Sequence, residues 1–515
     1  MRISSSLFFQ TGLNSINAQQ SDLMHLYQQI GSGQRMVTPA DDPLAAAQAI
    51  NISQSQSMNK RFADNREVAK RNLGIEENTL NSVTLLLQDI KTRLIEAGNG
   101  TLSDQDRNTL SNVLSNARSS LLGLANATDG SGQYLFSGSK GDTAPFQESG
   151  GSIVYMGDRQ QRLIQADQTR RIAGSDVGAD VFDRAAPGTS GYLTAAGGLN
   201  SGSGLIGKPA LADPSGYGVG HTFTLRFTSE STYEVDVSDA AGNAIHTYAG
   251  SGYTPGEKQT IALQGGVQVE ISGRPAAGDT FTVEPISAPA YTATPGSGNV
   301  DPNAMAIGTP RIVDASLASP GDAFSVRFTS PTAYEVDLVD AQGNVVQAAV
   351  SAGSYDPAGG NVLSLSRGME LYVQGAPAAG DSISVQATPA GASTDLNIFH
   401  TLDSIIAGLA QPLAGDDAMA RFQNLLGSAL QRIDVNYNNV LTVRSSVGAR
   451  LNELDALDAN GSQRALGYSQ QLSRMEDLDY YGASTQLQLR TSALEAAALA
   501  FRKIQATSLF NMNSG

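Results

Sequence analysis

The first half-hundred residues constrain the fold more than any other stretch. Phe9, Leu13, Ile16, Leu23, Tyr27 and Ile30 recur at alternating spacings of four and three, with Gln20 the single polar residue on the stripe. That is the pattern of an amphipathic helix with a coiled-coil-like seam. Such a helix, about 30 residues and roughly 45 Å long, cannot bury its apolar side alone. A partner of similar length is therefore required. The far end of the chain supplies one, because Leu487, Leu494, Ala497, Phe501 and Ile504 recur at seven, three, four and three.

Between the two ends, helical texture gives way to β texture and returns. Gly31, Ser32 and Gly33 interrupt the first helix, and Asp41, Asp42 and Pro43 read as a restart, with Asp42 as cap and Pro43 at the first helical position, where its missing N–H costs nothing. Leu73, Leu80, Val83, Leu87, Ile90 and Leu94 carry the next stripe, which Gly98 to Gly100 should stop. Ser103 and Asp106 suggest a capping box ahead of Leu110, Leu114, Ala117, Leu121 and Leu124. From about residue 133 short strands are expected between Gly, Asp and Pro turns, and the Gly, Ala and Ser-rich stretch from Ala185 to Gly207 reads as a linker.

An internal repeat follows. FTLRFTSESTYEVDVSDAAGN at 223–243 matches FSVRFTSPTAYEVDLVDAQGN at 324–344 at 13 of 21 positions, and GRPAAGDTFTV at 273 recurs as GAPAAGDSISV at 375. Alternation at Phe223, Leu225, Phe227 and at Tyr233, Val235, Val237 makes each copy an antiparallel β module with one buried face. Helical periodicity resumes near Leu396; Phe422, Leu426, Leu430, Ile433, Tyr437, Val440, Val447, Leu451 and Leu454 form a stripe broken by Arg444, and Asn460-Gly461 reads as a loop before the last helix.

The expected fold is α+β and multidomain, a long coiled-coil-like helical rod from both termini with an inserted pair of tandem antiparallel β modules. The expected divisions are 1–42, the N-terminal half of an axial helical domain; 43–182, the first half of a rod domain with a small β region; a linker at 183–205; module 1 at 206–288; a linker at 289–308; module 2 at 309–390; the second half of the rod at 391–460; and the C-terminal half of the axial domain at 461–515. At 515 residues the chain is too long for one compact core.

Chemistry narrows the function classes. Lys and Arg total 33 against 49 Asp and Glu, a net charge of −16 that repels phosphate backbones and anionic lipid. With no Cys, disulfide scaffolds, thiolate metal sites and cysteine nucleophiles are excluded. Leu7, Phe8 and Phe9 are too short a run for a secretory signal, which by itself suggests a cytoplasmic protein. Four histidines, His25, His221, His246 and His400, lack metal-ligand spacing, and no GxSxG, HExxH or P-loop occurs. Arg35, Asp41 and Asp42 are explained by a cap and a neighbouring charge. Asp236, Asp239 and Asn243, repeated as Asp337, Asp340 and Asn344, offer oxygen ligands for Ca²⁺, but without an EF-hand spacing they read as a hairpin turn. Tyr192, Tyr217, Tyr253 and Tyr291 lie in Gly/Pro-rich stretches and are expected to be exposed, where sugar contacts could form. No catalytic residue, cofactor or metal site is expected.

GSGQRMVTPADDPLAAAQAI at 31–50, QYLFSGSKGDTAPF at 133–146, VYMGD at 154–158, VGARLNELDALD at 447–458 and MEDLDYYGASTQLQLRTSALEAAALAFRKIQATSLFN at 475–511 together resemble the hook-filament junction branch of the flagellin superfamily, the hook-associated protein 3 family. The resemblance covers roughly the first 180 and last 120 residues and does not reach the duplicated β region. Filament flagellins usually read DDAAG where this chain has Asp41-Asp42-Pro43-Leu44-Ala45, and the ending Gln505-Ala506-Thr507-Ser508-Leu509-Phe510 is of the junction type; residues 512–515 match nothing in the pattern.

The resemblance implies a structural subunit of the bacterial flagellum, exported by the type III apparatus without a cleaved signal and held beforehand by a chaperone on its C-terminal helix. Outside the cell it would self-assemble into a ring between hook-associated protein 1 and flagellin. Leu13, Ile16, Leu23 and Ile30 with Leu487, Leu494, Phe501, Ile504 and Leu509 would form its assembly interface. Two other readings stay open, filament flagellin and a cell-surface adhesin with a helical stalk.

Overall fold

The structure, a computed structural model, describes residues 2–319, 321–389 and 394–512, with side chains outside the description at 2–6, 8, 9, 251 and 504–512. The fold is α+β and multidomain, and the chain divides into two compact units. One comprises 1–71, 163–172 and 450–515; the other comprises 72–162 and 173–449.

The described helices are α1 (Arg2–Ser32), α2 (Pro43–Ala97), α3 (Asp104–Ala125), the short α4 (Gly178–Phe182), α5 (Ile398–Leu409), α6 (Asp416–Glu476) and α7 (Tyr480–Met512). Their ends follow local chemistry. Asp42 Oδ1 accepts from the Ala45 N–H at 3.0 Å, satisfying one of the first-turn donors of α2. Ser103 and Asp106 close a reciprocal capping box on α3. One expected break is absent, since α6 runs unbroken through Asn460 and Gly461. Gly461 serves close packing there: the Arg66 guanidinium occupies the space a Cβ would take, and Asn59 donates to the Gly461 carbonyl at 2.8 Å.

β1 (Phe146–Ser149) and β2 (Ser152–Tyr155) pair as a hairpin in the second unit, and among the described residues the sheet of the first unit is the pair β3 (Leu163–Gln165) and β4 (Arg171–Ala173). Charge pins the β3–β4 hairpin to the helices. Arg66, almost fully buried, bonds Asp458 and donates to the Ala166 carbonyl at 2.9 Å. Arg464 pairs with Asp167 at 2.6 Å, and the Arg170 NH2 reaches Glu453 at 2.8 Å.

In the second unit the stripe of α2 from Leu73 to Leu94 is wholly buried, with Leu110, Leu114 and Leu121 of α3 and Phe422, Ile433, Val440 and Val447 of α6. Arg444, which breaks the stripe, pairs with Glu77 at 2.6 Å. Phe182 packs edge to face on Phe136 and Phe146, and Phe399 lies tilted against Phe146, beside β1 and β2.

The tandem modules belong to the second unit. Module 1 has a five-stranded sheet, ordered β10-β9-β8-β13-β5, from β5 (Tyr192–Ala196), β8 (Thr222–Phe227), β9 (Thr232–Ser238), β10 (Ala244–Ser251) and β13 (Thr280–Pro285). A smaller sheet joins β6 (Leu205–Ile206), β7 (Ala210–Leu211), β11 (Gln259–Ala262) and β12 (Val267–Ser272). Module 2 repeats both. Its large sheet, ordered β14-β22-β17-β18-β19, uses β14 (Tyr291–Pro295), β17 (Ala323–Ser330), β18 (Ala333–Val339), β19 (Val345–Ser354) and β22 (Ser382–Ala387). Its small sheet uses β15 (Met305–Ile307), β16 (Arg311–Ile312), β20 (Gly360–Ser366) and β21 (Met369–Gly375).

The stretches read as linkers therefore carry structure. β5 lies within 183–205 and β14 within 289–308, each an edge strand paired antiparallel to the last strand of its module. Their backbone donors find partners some 90 residues away in sequence, which short-range composition does not register. Tyr192, Tyr253 and Tyr291 are accordingly buried rather than exposed. The Tyr192 hydroxyl donates to the Gly218 carbonyl at 3.0 Å, and the Tyr253 hydroxyl to that of Gly273 at 2.9 Å. Tyr217 stacks on Tyr372 of module 2, ring centroids 4.3 Å apart.

Candidate assembly interface

Within the first unit α1 lies against α7. The inner line of α1, continued through the residue just past its end, is Gly12, Ile16, Gln19, Leu23, Leu26, Ile30 and Gly33, all half-buried or buried and again at alternating four and three, with His25 and Gln29 half-buried beside it. The Phe501 ring approaches to 3.3 Å of where a Gly12 Cβ would sit. The sequence stripe is thus split. Ile16, Leu23 and Ile30 lie on the inner line, whereas Leu13, 46% exposed, and Tyr27 fall beside it with exposed Met24. Leu26, missed by the stripe reading, is the most buried apolar residue of α1 among the described side chains. Two apolar lines roughly a quarter-turn apart share Ile16, Leu23 and Ile30 as their common edge.

On α7 the inner line is Ala483, Leu487, Thr491, Leu494, Ala498 and Phe501, with Ala497 beside it. Leu487, Leu494 and Phe501 are half-buried; Ile504 and Leu509 lie outside the described side chains. The opposite face carries Tyr481, 91% exposed, with Leu489 and Leu499, also exposed. Apolar groups therefore stand on both sides of one helix, and a single partner can cover only one of them. Arg490 pairs with Asp22 of α1 at 2.6 Å, both partly exposed, where such a pair contributes register more than stability.

Both helices begin or end at the same elbow. Gly33 adopts φ +73° and ends α1; its carbonyl accepts the Leu478 N–H at 3.0 Å, and the Arg35 N–H donates to Glu476 at 2.7 Å. A β-bridge joins Gln34 to Asp477. Arg35 Nε donates to the Met475 carbonyl at 3.1 Å, and its NH2 reaches Asp42 at 3.4 Å. Asp41 closes the loop by accepting from the Val37 and Thr38 N–H groups, each at 2.8 Å, and by meeting His25 at 3.0 Å. The hydrogen bond from the Thr38 backbone holds the Asp41 carboxyl below the ordinary aspartate range, with help from Val37 and His25. Arg35, Asp41 and Asp42 are thus occupied in turn and cap geometry.

The remaining polar candidates are also committed to structure. Asp239 accepts from Ala241, from the Asn243 N–H and from its side chain, and Asp340 repeats the arrangement with Gln342 and Asn344. Among the described residues no group of three His, Asp or Glu side chains converges as a metal site. His221 is buried, which pushes its imidazole down to about 3 and keeps it neutral. His246 is buried against Gln264, and His400 meets Asp395 at 3.0 Å.

Buried amides on α6 make anchoring contacts that apolar periodicity passes over. Asn424 accepts from Ile206 N–H and donates to the Gly204 carbonyl, both at 2.9 Å. Gln431 bonds the Thr194 hydroxyl at 2.8 Å, and Asn439 donates to the carbonyls of Asp180 and Val181. They attach module 1 and α4 to the helix. Their spacing near seven is the only signal in the sequence.

Residues 3–141 match the family described as the bacterial flagellin N-terminal helical region. Over 183 residues the chain is 38% identical to flagellar hook-associated protein 3 of Salmonella typhimurium, a stretch covering 36% of this chain and 57% of that one. The same identity and coverage hold for flagellar hook-associated protein 3 of Escherichia coli. The chain thus spans a little over half the length of these relatives. Two solved structures share the fold: FlgL of Xanthomonas campestris, with TM-score 0.53, 21% identity and coverage of 82% of this chain and 99% of that one, and the flagellar junction protein FlgL of Legionella pneumophila, with TM-score 0.51, 20% identity and coverage of 84% and 100%.

Proposed function

We propose that this chain is a structural, non-enzymatic subunit of the bacterial flagellum, forming the junction ring that adapts a hook-associated ring to the flagellin filament. The observation that carries the reading is the pair of terminal helices, which bury one apolar line against each other and keep another exposed. An exposed Leu gains about 1.5–3 kcal/mol on full burial, so Leu13, Met24 and Tyr27 on α1 and Tyr481, Leu489 and Leu499 on α7 favour neighbours of the same kind. In this scheme Ile16, Leu23, Ile30, Leu487, Leu494 and Phe501 hold the two helices together. Ile504 and Leu509 extend the same assignment toward the C-terminus.

The partners of this reading are further copies of the chain, hook-associated protein 1, flagellin and, before export, a chaperone on the C-terminal helix. Its location is extracellular, reached without a cleaved signal. Filament flagellin, which would require the protein to be the bulk of the filament rather than a minor component at its base, is not supported by the relatives matched over 183 residues, both of them hook-associated protein 3.

The test is complementation of a strain lacking the protein with Leu499→Asp, a change on the exposed face. The reading expects a normally folded, exported protein that fails to join hook tips by electron microscopy, and loss of filaments. Filaments of ordinary number and length would sink it.

A further inference from the structure

The acid excess of the chain is not shared between its two compact units. The first, 1–71 with 163–172 and 450–515, holds 15 Lys and Arg against 13 Asp and Glu, a net charge of +2. The second, 72–162 with 173–449, holds 18 against 36, a net charge of −18. The whole of the chain's acid excess therefore lies on one unit. Both copies of the duplication contribute. Module 1, over 206–288, has four Lys and Arg against nine Asp and Glu, and module 2, over 309–390, has three against eight.

Local pairing does not remove this excess. Arg226 meets Glu234 and Arg327 meets Glu335, each at 2.7 Å, and Arg432 meets Glu284 at 2.6 Å, while Glu230, Glu257, Asp301 and Asp356 stand exposed. Where one module touches the other, neutral groups and a cation make the contact. Tyr217 stacks on Tyr372, the Thr247 N–H donates to Asn303 at 2.9 Å, and Arg311 donates to the Gly216 carbonyl at 2.8 Å. In the first unit cations and acids stand in near balance, Arg464 with Asp167 and Arg490 with Asp22, each at 2.6 Å, and Lys70 with Asp455 at 2.7 Å.

Repulsion follows the product of the charges. At equal separation it is about 80-fold larger between two second units than between two first units. The exposed apolar faces of α1 and α7 gain by burial, which needs no charge. Each copy that joins through the first unit nevertheless brings its acidic unit with it. At about 0.01 M salt such a charge is felt over roughly 30 Å, and at about 0.15 M over roughly 8 Å. We propose that copies of this chain associate through the near-neutral first unit and that the second unit opposes this as an electrostatic brake, so that ionic strength sets how tightly copies associate. The proposal rests on the reading that the terminal helices of the first unit join copy to copy.

The test is sedimentation of the full chain across concentration, from about 10 mM to about 150 mM NaCl. The parent should associate at least about tenfold more tightly at the higher salt. A variant combining Glu230→Gln, Glu257→Gln, Asp301→Asn and Asp356→Asn, all at exposed positions, takes the second unit from −18 to −14. Its salt response, on a logarithmic scale, should fall to about 60% of the parent's, with association at the higher salt unchanged. If salt acted on apolar burial alone, this variant would respond as the parent does, and the proposal would fall. Leu499→Asp should weaken association at both salts, which ties the contact to the first unit. Association that salt leaves unchanged or weakens overturns the proposal and leaves the assembly reading standing. A parent that stays monomeric to about 100 µM at every salt overturns both.

Discussion

Replacing Gly33 with alanine tests the elbow on which both terminal helices turn. Gly33 sits at φ +73°, and an L-residue there costs about 1–2 kcal/mol. Its new Cβ would come within 2.9 Å of the Tyr480 hydroxyl. That oxygen ends a side chain that is 56% exposed, so it can swing aside and the backbone cost should dominate. Gly31, two residues earlier and inside α1, is the matched control. Nothing lies within 4 Å of a Cβ built there, and Gly31→Ala should stabilise the helix by about 0.5–1 kcal/mol. The readout is amide hydrogen exchange at Leu478 and Arg35, whose N–H groups bond Gly33 and Glu476 across the elbow. Gly33→Ala should speed exchange at both by a factor of about 5–30, and Gly31→Ala should slow it or leave it unchanged. Equal acceleration by both substitutions, or by neither, would refute the assignment of Gly33 to a conformational role.

Two further changes probe buried charge. Asp183 is pushed up to about 7, first by burial and then by Asp395 and Asp180, against relief from His400 and Arg159. With its folded value above its unfolded one of 3.8, the folded state holds the extra proton, so stability falls as pH rises between these values. The melting temperature of Asp183→Asn should therefore gain on the parent from pH 5 to pH 8, and a constant difference would contradict the burial argument. Arg66→Met removes the guanidinium that joins Asp458 and the Ala166 carbonyl. Urea unfolding should show a loss of about 2–3 kcal/mol, tempered because Lys70 still pairs with Asp458; a loss below about 0.5 kcal/mol would mean the buried arginine is not holding the β3–β4 hairpin.

What the sequence determined by itself is local or self-matching. The stripes from Leu73 to Leu94 and from Leu110 to Leu121 read as buried faces because helical period and apolar spacing are properties of short windows. The capping box at Ser103 and the α1 stop at Gly33 are set by neighbours within a few residues. The duplication showed in identity alone. Tertiary structure decided which of two apolar lines on α1 meets α7, since Leu13 and Tyr27 are as apolar as Leu26 and only the partner's position separates them. It also turned Gly-rich stretches into the edge strands β5 and β14, whose hydrogen bonds come from the far end of each module. And it buried Ile245 while leaving Val346, at the matching position of the repeat, exposed, because burial belongs to what stands opposite a residue and a single sequence does not record its neighbours in space.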